Sequence, residues 1–176
     1  MIVSCRKNFH CDSQTYFKEL FNYESREPRE TKGRGALSFR VKESDTNSST
    51  WKHKVEFREQ IDAPAPVRKL MGETVLVEEE ITWTPGKNKA HVTYRPSTLA
   101  KKTHISGTLT AEDTENGDCR VTMETEVKIK VFALGSIMEK TAAEKLQKDF
   151  EKDVTYFNQV LAPRLKEHSS TEKNNF

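Results

Sequence analysis

Three polar residues keep step with apolar neighbours and could do chemistry if that phase faces an interior. His53 shares a two-residue period with Trp51, Val55 and Phe57, Glu79 with Val75, Val77, Ile81 and Trp83, and Tyr94 with Val92. Burial and mutual charge draw the pKa values of a histidine and a carboxylate toward neutrality, where they can exchange protons or orient a ligand hydroxyl. Against this, strand ends are solvated and a bulge would turn Glu79 outward. His53 and Glu79 are therefore the catalytic pair if the protein is an enzyme, and no other catalytic residue is assigned.

The remaining reactive residue types do not assemble. His91 and His104 fall on the phase opposite their apolar neighbours, and His10 and His168 sit at element ends. Cys5, Cys11 and Cys119 are odd in number and form no Cys-x-x-Cys, so neither a disulfide framework nor a zinc site is expected. No phosphate loop, dinucleotide fingerprint or Gly-x-Ser-x-Gly occurs, and Gly33-Arg34-Gly35 is too short to count, so no cofactor and no metal are expected. A different chemistry attaches to Arg95, Leu99, Lys101 and Lys102. Basic groups beside an exposed leucine could make transient contact with anionic membrane headgroups, or the stretch is a solvated loop.

At 176 residues the chain can bury one sizeable core. The formal net charge of +2 arises from interleaved acids and bases, which lacks the basic stripe of a nucleic-acid binder. Met1 to Lys7 lacks the apolar run of a secretory signal, and no window approaches the ~20 apolar residues of a membrane span. A soluble, cytoplasmic protein is expected, and Asn47-Ser48-Ser49 reads as a chance glycosylation triplet.

Elements that could position these residues follow from periodicity. Residues 2–9 read as a strand, and Asp12 or Ser13 can cap a short helix carrying Tyr16, Phe17, Leu20 and Phe21. A polar loop is expected from Tyr23 to Gly35. Strands follow at Leu37–Val41, Trp51–Phe57, Thr74–Thr84, Lys89–Tyr94, Thr103–Ala111 and Cys119–Val131, with a short helix at Val67–Met71 and a loop over Arg95–Lys102. From Met138 through Ala142, Leu146, Phe150, Val154, Phe157 and Leu161 to Leu165, apolar residues step by three or four. The helix they predict runs to about Lys166, roughly 45 Å at 1.5 Å per residue, with Lys140, Glu144, Lys145, Lys148 and Asp149 on its wet side. Gly135 is expected to permit the turn that lays this helix across the dry face of the sheet. The pattern is α+β, a curved antiparallel sheet wrapped around a long C-terminal helix, as one domain over 1–166 with a polar tail at 167–176.

The stretch VTMETEVKIKVFALGSIMEKTAAEKLQKDFEKDVTYFNQVL, preceded by APVRKLMGETVLVEEEITW, resembles the START-like (helix-grip, SRPBCC/Bet v-type) superfamily, and within it a little-characterised bacterial branch. Its layout is also similar to the PRELI-type lipid transfer proteins. The resemblance spans His53 to Leu161. It implies an internal cavity that binds a hydrophobic or amphipathic small molecule such as a lipid, sterol or isoprenoid, and in some members its intracellular transport. Inward phases would then line the cavity with Phe39, Trp51, His53, Val55, Phe57, Val77, Glu79, Ile81, Trp83, Tyr94, Met123, Met138, Ala142, Phe150 and Phe157. Two other readings stay open: a cyclase or dehydratase using His53 and Glu79, and a closed-core interaction protein without a ligand.

Overall fold

Alternation along the strands becomes a seven-stranded antiparallel sheet in the computed structural model, which describes the backbone of residues 1–173 and the side chains of residues 1–170. The strands are β1 (Ile2–Phe9), β2 (Ser38–Asp45), β3 (Trp51–Gln60), β4 (Thr74–Trp83), β5 (Lys89–Pro96), β6 (Thr103–Asp113) and β7 (Cys119–Ile129), in the spatial order β1-β7-β6-β5-β4-β3-β2. Between β1 and β2 lie α1 (Ser13–Glu19) and α2 (Tyr23–Pro28), and α3 (Ala65–Met71) separates β3 from β4. Helix α4 (Gly135–Tyr156) follows β7, and continues through wide π-helical turns at Phe157–Leu161 into α5 (Ala162–Lys173). The helix thus runs past Lys166, and of the tail expected at 167–176, residues 174–176 lie outside the described residues.

Register decides which residues meet. Trp51 pairs with Trp83, Val55 with Glu79 and Phe57 with Val77, which brings the inward phases of β3 and β4 together. On β7 the dry face is complete from Cys119 to Ile129, with every second residue buried. Helix α4 covers it with Met138, Ala143 and Phe150. Phe9 joins the layers, its ring 4.7 Å from Tyr16, 5.3 Å from Phe157 and 6.0 Å from Phe150. A buried side chain of that size stabilises by about 1.5–3 kcal/mol through its area alone. At the far edge the β2–β3 pairing slips by one residue between Val41 and Glu43, a bulge centred on Lys42.

Four expectations are corrected. The polar segment Tyr23–Gly35 is helical: Asn22 accepts a hydrogen bond from the Glu24 amide, α2 follows, and wide turns over Arg29–Arg34 end at Gly35 in the left-handed region. Pro28 has no amide hydrogen to close a regular turn, and the helix widens after it. Leu37 precedes β2 and is 56% exposed rather than buried. Leu99 is half-buried against the main core, so it is not the exposed apolar residue of its loop. Finally, Gly135 does not supply a left-handed turn. That conformation belongs to Ala133, at φ 60°. Gly135 is required because a Cβ there would lie 2.6 Å from the Ile129 carbonyl oxygen.

The two positions should respond in opposite senses. Gly135→Ala forces the α4 start away from β7 and should lower stability by about 1–3 kcal/mol. Ala133→Gly relieves a conformation that L-residues avoid and should be neutral or stabilising. Urea unfolding of both variants checks the assignment, and equal loss in the two would refute it.

Candidate functional site

Helical spacing in the segment after Asn22 turns a run of charged residues inward. Arg26, Glu30 and Arg34 recur every four residues and form ion pairs of 3.0 Å (Arg26–Glu30) and 2.9 Å (Arg34–Glu30). Arg26 also meets Glu79 of β4. Arg29 grips Asp153 of α4 through both its Nε and Nη2, at 2.7 and 2.6 Å. Arg34 reaches Asp149 at 3.2 Å and Glu59 at 3.9 Å, and Lys145 bridges Glu59 at 2.9 Å while also contacting Asp149. Four cations (Arg26, Arg29, Arg34, Lys145) thus meet five carboxylates (Glu30, Glu59, Glu79, Asp149, Asp153).

Burial and partners pull these groups in opposite directions. Burial alone would raise the Asp153 carboxyl, but Arg29 beside it holds the pKa below the usual range. At Glu79 burial wins over Arg26 and raises the pKa. The guanidinium planes also lie near rings. Arg29 is 5.3 Å from the centroid of Phe157 and 5.9 Å from that of Tyr16, and Arg34 is 5.5 Å from that of Phe57.

Beyond this cluster, between α4, α3 and strands β3 to β7, lies a cavity of about 160 Å³. Its wall is apolar, with Phe57, Val67, Met71, Val75, Val77, Pro96, Ile105, Ile129, Met138, Ala142 and Leu146. Arg34, Glu59, Lys145 and Asp149 supply a charged pole beside Tyr94, and Gln60, Asp62, Thr103 and Thr141 also border the space. A smaller space of about 40 Å³ lies among Tyr16, Arg26, Glu79, Met123, Phe150 and Asp153. Arg34, Tyr94, Leu146 and Asp149 border both spaces and form the partition between them.

The residues expected to line one cavity are therefore divided. Phe57, Val77, Tyr94, Met138 and Ala142 line the larger space, and Glu79, Ile81, Tyr94, Met123 and Phe150 the smaller. Phe39, Trp51, His53, Val55, Trp83 and Phe157 line neither. Phe39 faces Tyr23, Trp51 and Trp83 pack on each other with Phe21, and Phe157 packs on Phe9. His53 is 3% exposed beneath Phe21, and neither ring nitrogen has a hydrogen-bond partner. Burial, with Arg26 nearby, pushes its pKa down to about 4. His53 and Glu79 do share a face, two pairs apart in register, but Glu79 is engaged by Arg26.

Sequence reasoning missed the charged pole. Lys145 and Asp149, expected on the wet side of α4, turn toward Glu59 and Arg34, and Asp149 is only 3% exposed. The available signal was the four-residue recurrence of Arg26, Glu30 and Arg34 behind a capping Asn22. In the loop, Arg95 is exposed and 3.7 Å from Glu78, and Lys101 and Lys102 are exposed as expected. Among the described residues no three His, Cys, Asp or Glu side chains gather to hold a metal ion, and no helix is long and apolar enough to cross a membrane.

Solved structures share this architecture. A Thermus thermophilus protein superposes with a TM-score of 0.64 at 11% identity, over 90% of this chain and 95% of its own. Zhui aromatase/cyclase from a Streptomyces species gives 0.60 at 11%, over 96% and 95%. A START superfamily protein from Mycobacterium smegmatis gives 0.58 at 12%, over 88% and 97%. At these identities the likeness shows the fold, which is the START-like helix grip. No curated protein matches in sequence. One protein-family model, described as "Protein of unknown function (DUF2505)", matches residues 6–161.

Two predictions follow the buried charges. Arg29→Met leaves Asp153 unpaired and should cost about 3–5 kcal/mol, most of it recovered by adding Asp153→Leu, as denaturant unfolding of the single and double variants will show. His53 has a folded pKa below its unfolded one, so its contribution is complete above pH 6.5 and is lost as pH falls toward 4. Between pH 6.5 and 5 this amounts to about 1–2 kcal/mol. Glu79, with its raised pKa, works in the opposite sense as pH falls, and Asp153 loses its contribution only below about 3.8. His53→Phe should therefore be near-neutral at pH 7 and flatten the stability loss at pH 5 relative to wild type. An unchanged pH profile would show that His53 is not the titrating group.

Proposed function

We propose, for a chain that belongs to the DUF2505 family, that it binds an apolar or amphipathic small molecule in the cavity between α4 and the sheet. The observation that carries this reading is the cavity's composition: a largely apolar lining with a compact group of charged side chains at Arg34, Glu59, Lys145 and Asp149. The START-like fold supports it, since proteins of that fold commonly bind hydrophobic ligands. We take residues 1–166 as the binding unit and 167–176 as its polar tail. At about 160 Å³ the space is comparable with an apolar cavity that admits benzene, so it accommodates a ring or short chain, and a longer ligand extends through the mouth beside α3.

The pole favours an uncharged head group. Arg34 and Lys145 are already engaged by Glu30, Glu59 and Asp149, two cations against three carboxylates, so an incoming anion finds no cation without a partner. A carboxylate or phosphate would have to displace an existing partner and leave it buried and unpaired. A hydroxyl needs no such exchange. The cyclase or dehydratase reading would rest on His53 and Glu79; an aromatase/cyclase shares the fold, but His53 lines neither cavity.

Ala142→Phe should fill the cavity. Wild type is expected to enhance the fluorescence of an environment-sensitive apolar dye, and the variant to lose this while keeping its melting temperature. A long-chain alcohol should displace the dye at about tenfold lower concentration than the carboxylate of equal length. Absence of dye binding by wild type would sink the cavity reading, and equal potency of acid and alcohol would sink the head-group reading alone.

A further inference from the structure

Charge is distributed unevenly over this surface. On the convex face of β2 to β4 four cations are matched, Arg40 with Glu56 at 2.6 Å, Lys42 with Glu78 at 2.7 Å, Lys54 with Glu80 at 3.2 Å and Lys52 with Glu43 at 3.5 Å, while Arg58 meets Thr74 at 3.2 Å. Around the end of the cavity bordered by Met71, Thr103 and Ile129 the cations are not. Arg68 and Lys69 of α3, Lys101 and Lys102 of the turn before β6, and Lys130 after β7 are all exposed, and none has a carboxylate partner among the described residues. The acidic groups of this rim are fewer. Asp62 and Glu73 flank α3, and Glu139 is occupied by the Ile129 amide at 2.9 Å and the Met1 amine at 3.9 Å.

The same rim carries exposed apolar side chains. Phe132 is 98% exposed, and Ile137 and Leu70 are 43% and 42% exposed. Phe132 is held out by its backbone. The following Ala133 is left-handed, the Leu134 amide donates to the Phe132 carbonyl at 2.8 Å, and the Gly135 amide donates to the Val131 carbonyl at 2.8 Å. This turn is tied to the lysine-bearing one, since the Lys130 amide donates to the Lys102 carbonyl at 2.8 Å. The elements also frame the cavity: Met71 of α3, Thr103 after the lysine turn, and Ile129 and Met138 on either side of the Phe132 turn all line it. A ring projecting from a cationic, partly apolar rim matches the interface of a bilayer with acidic lipids, where aromatic side chains settle at the headgroup boundary and lysines meet the surface potential. An acidic protein groove would require ion-pair partners fixed in place and offers no reason for a ring standing free of any pocket wall.

We infer that the rim formed by α3, the Leu99–Lys102 turn and the Phe132 turn is a docking surface for an anionic phospholipid bilayer, with Phe132 entering the interface and the cavity mouth facing the lipid. The contact replaces Leu99 by Phe132 as the apolar anchor and adds Arg68, Lys69 and Lys130 to Lys101 and Lys102. It rests on exposure and charge, and does not depend on what the cavity holds.

Sedimentation of the full chain with vesicles of phosphatidylcholine, alone or mixed with phosphatidylserine, tests it. Wild type should partition onto the mixed vesicles and come off as salt is raised. Phe132→Ser should weaken partition about tenfold without a change in melting temperature, because the side chain packs on nothing. Lys101→Glu with Lys102→Glu should weaken it at least about thirtyfold, while Arg40→Glu with Lys52→Glu on the convex face should have a far smaller effect. In Phe132→Trp, the new indole should be quenched by brominated acyl chains, a readout that a purely electrostatic contact would not move. No partition onto acidic vesicles at low salt, equal partition of wild type and Phe132→Ser, or binding of an acidic protein without vesicle binding would each overturn the assignment.

Discussion

Burying a charge is tolerable only when its partner is buried with it, and this protein buries three arginines from nine consecutive residues. Arg26, Arg29 and Arg34 cannot leave water unless α2 and the turns that follow it dock where Glu79, Asp149 and Asp153 are waiting. Those carboxylates come from β4 and α4. The ionic cluster therefore makes the approach of the long helix to the sheet conditional on the short helix beside it, and three elements distant in sequence assemble as a set. Apolar packing alone would allow α4 to slide along the dry face of β7. Paired charges at Asp149 and Asp153, one turn apart, allow one register.

That constraint also shapes the cavity. Wherever the cluster stands, apolar side chains from the helix and the sheet are kept from meeting. Val55, Phe57 and Val77 form an apolar group separate from the main core, and the two groups are joined by guanidinium planes lying near Phe57 on one side and Phe157 and Tyr16 on the other. The partition made by Arg34, Tyr94 and Asp149 divides the interior into a small polar space and a larger apolar one. The cavity is thus the region of the grip that the charged side chains close at one end without filling.

The fold was legible because its signals are redundant. β7 alternates over eleven residues, and the helix stripe from Met138 to Leu165 holds its period, so a local error could not change the topology. The site was less legible. Phase placed His53 and Glu79 inside correctly, but it cannot tell which inward residues border empty space, and six of the fifteen expected lining residues pack against neighbours instead. The charged pole was invisible for a different reason: Lys145 and Asp149 look like solvent-facing residues unless the Arg29–Arg34 turns are known to meet α4, and that helical segment was hidden by its polarity and by Pro28. The correct reading required the four-residue recurrence of Arg26, Glu30 and Arg34 to outweigh composition. Phe132 was overlooked because an apolar residue between a strand and a helix is ordinarily assumed to pack against one of them.

The one-residue slip at Lys42 bears on how the molecule behaves among its own copies. An open sheet has two outer strands whose unpaired amides and carbonyls can template another chain, and a straight outer strand is a route to stacked assembly. Here β2 carries a bulge midway, along with Arg40, Lys42 and Glu43, so an incoming strand would lose register halfway and meet charge. At the opposite border, Lys7 of β1 is tied to Glu151 of α4 at 3.3 Å, setting helix side chains beside that strand. Both borders are therefore poor templates for lateral growth, which leaves a protein with a prominent apolar turn free to expose it without joining sheet to sheet.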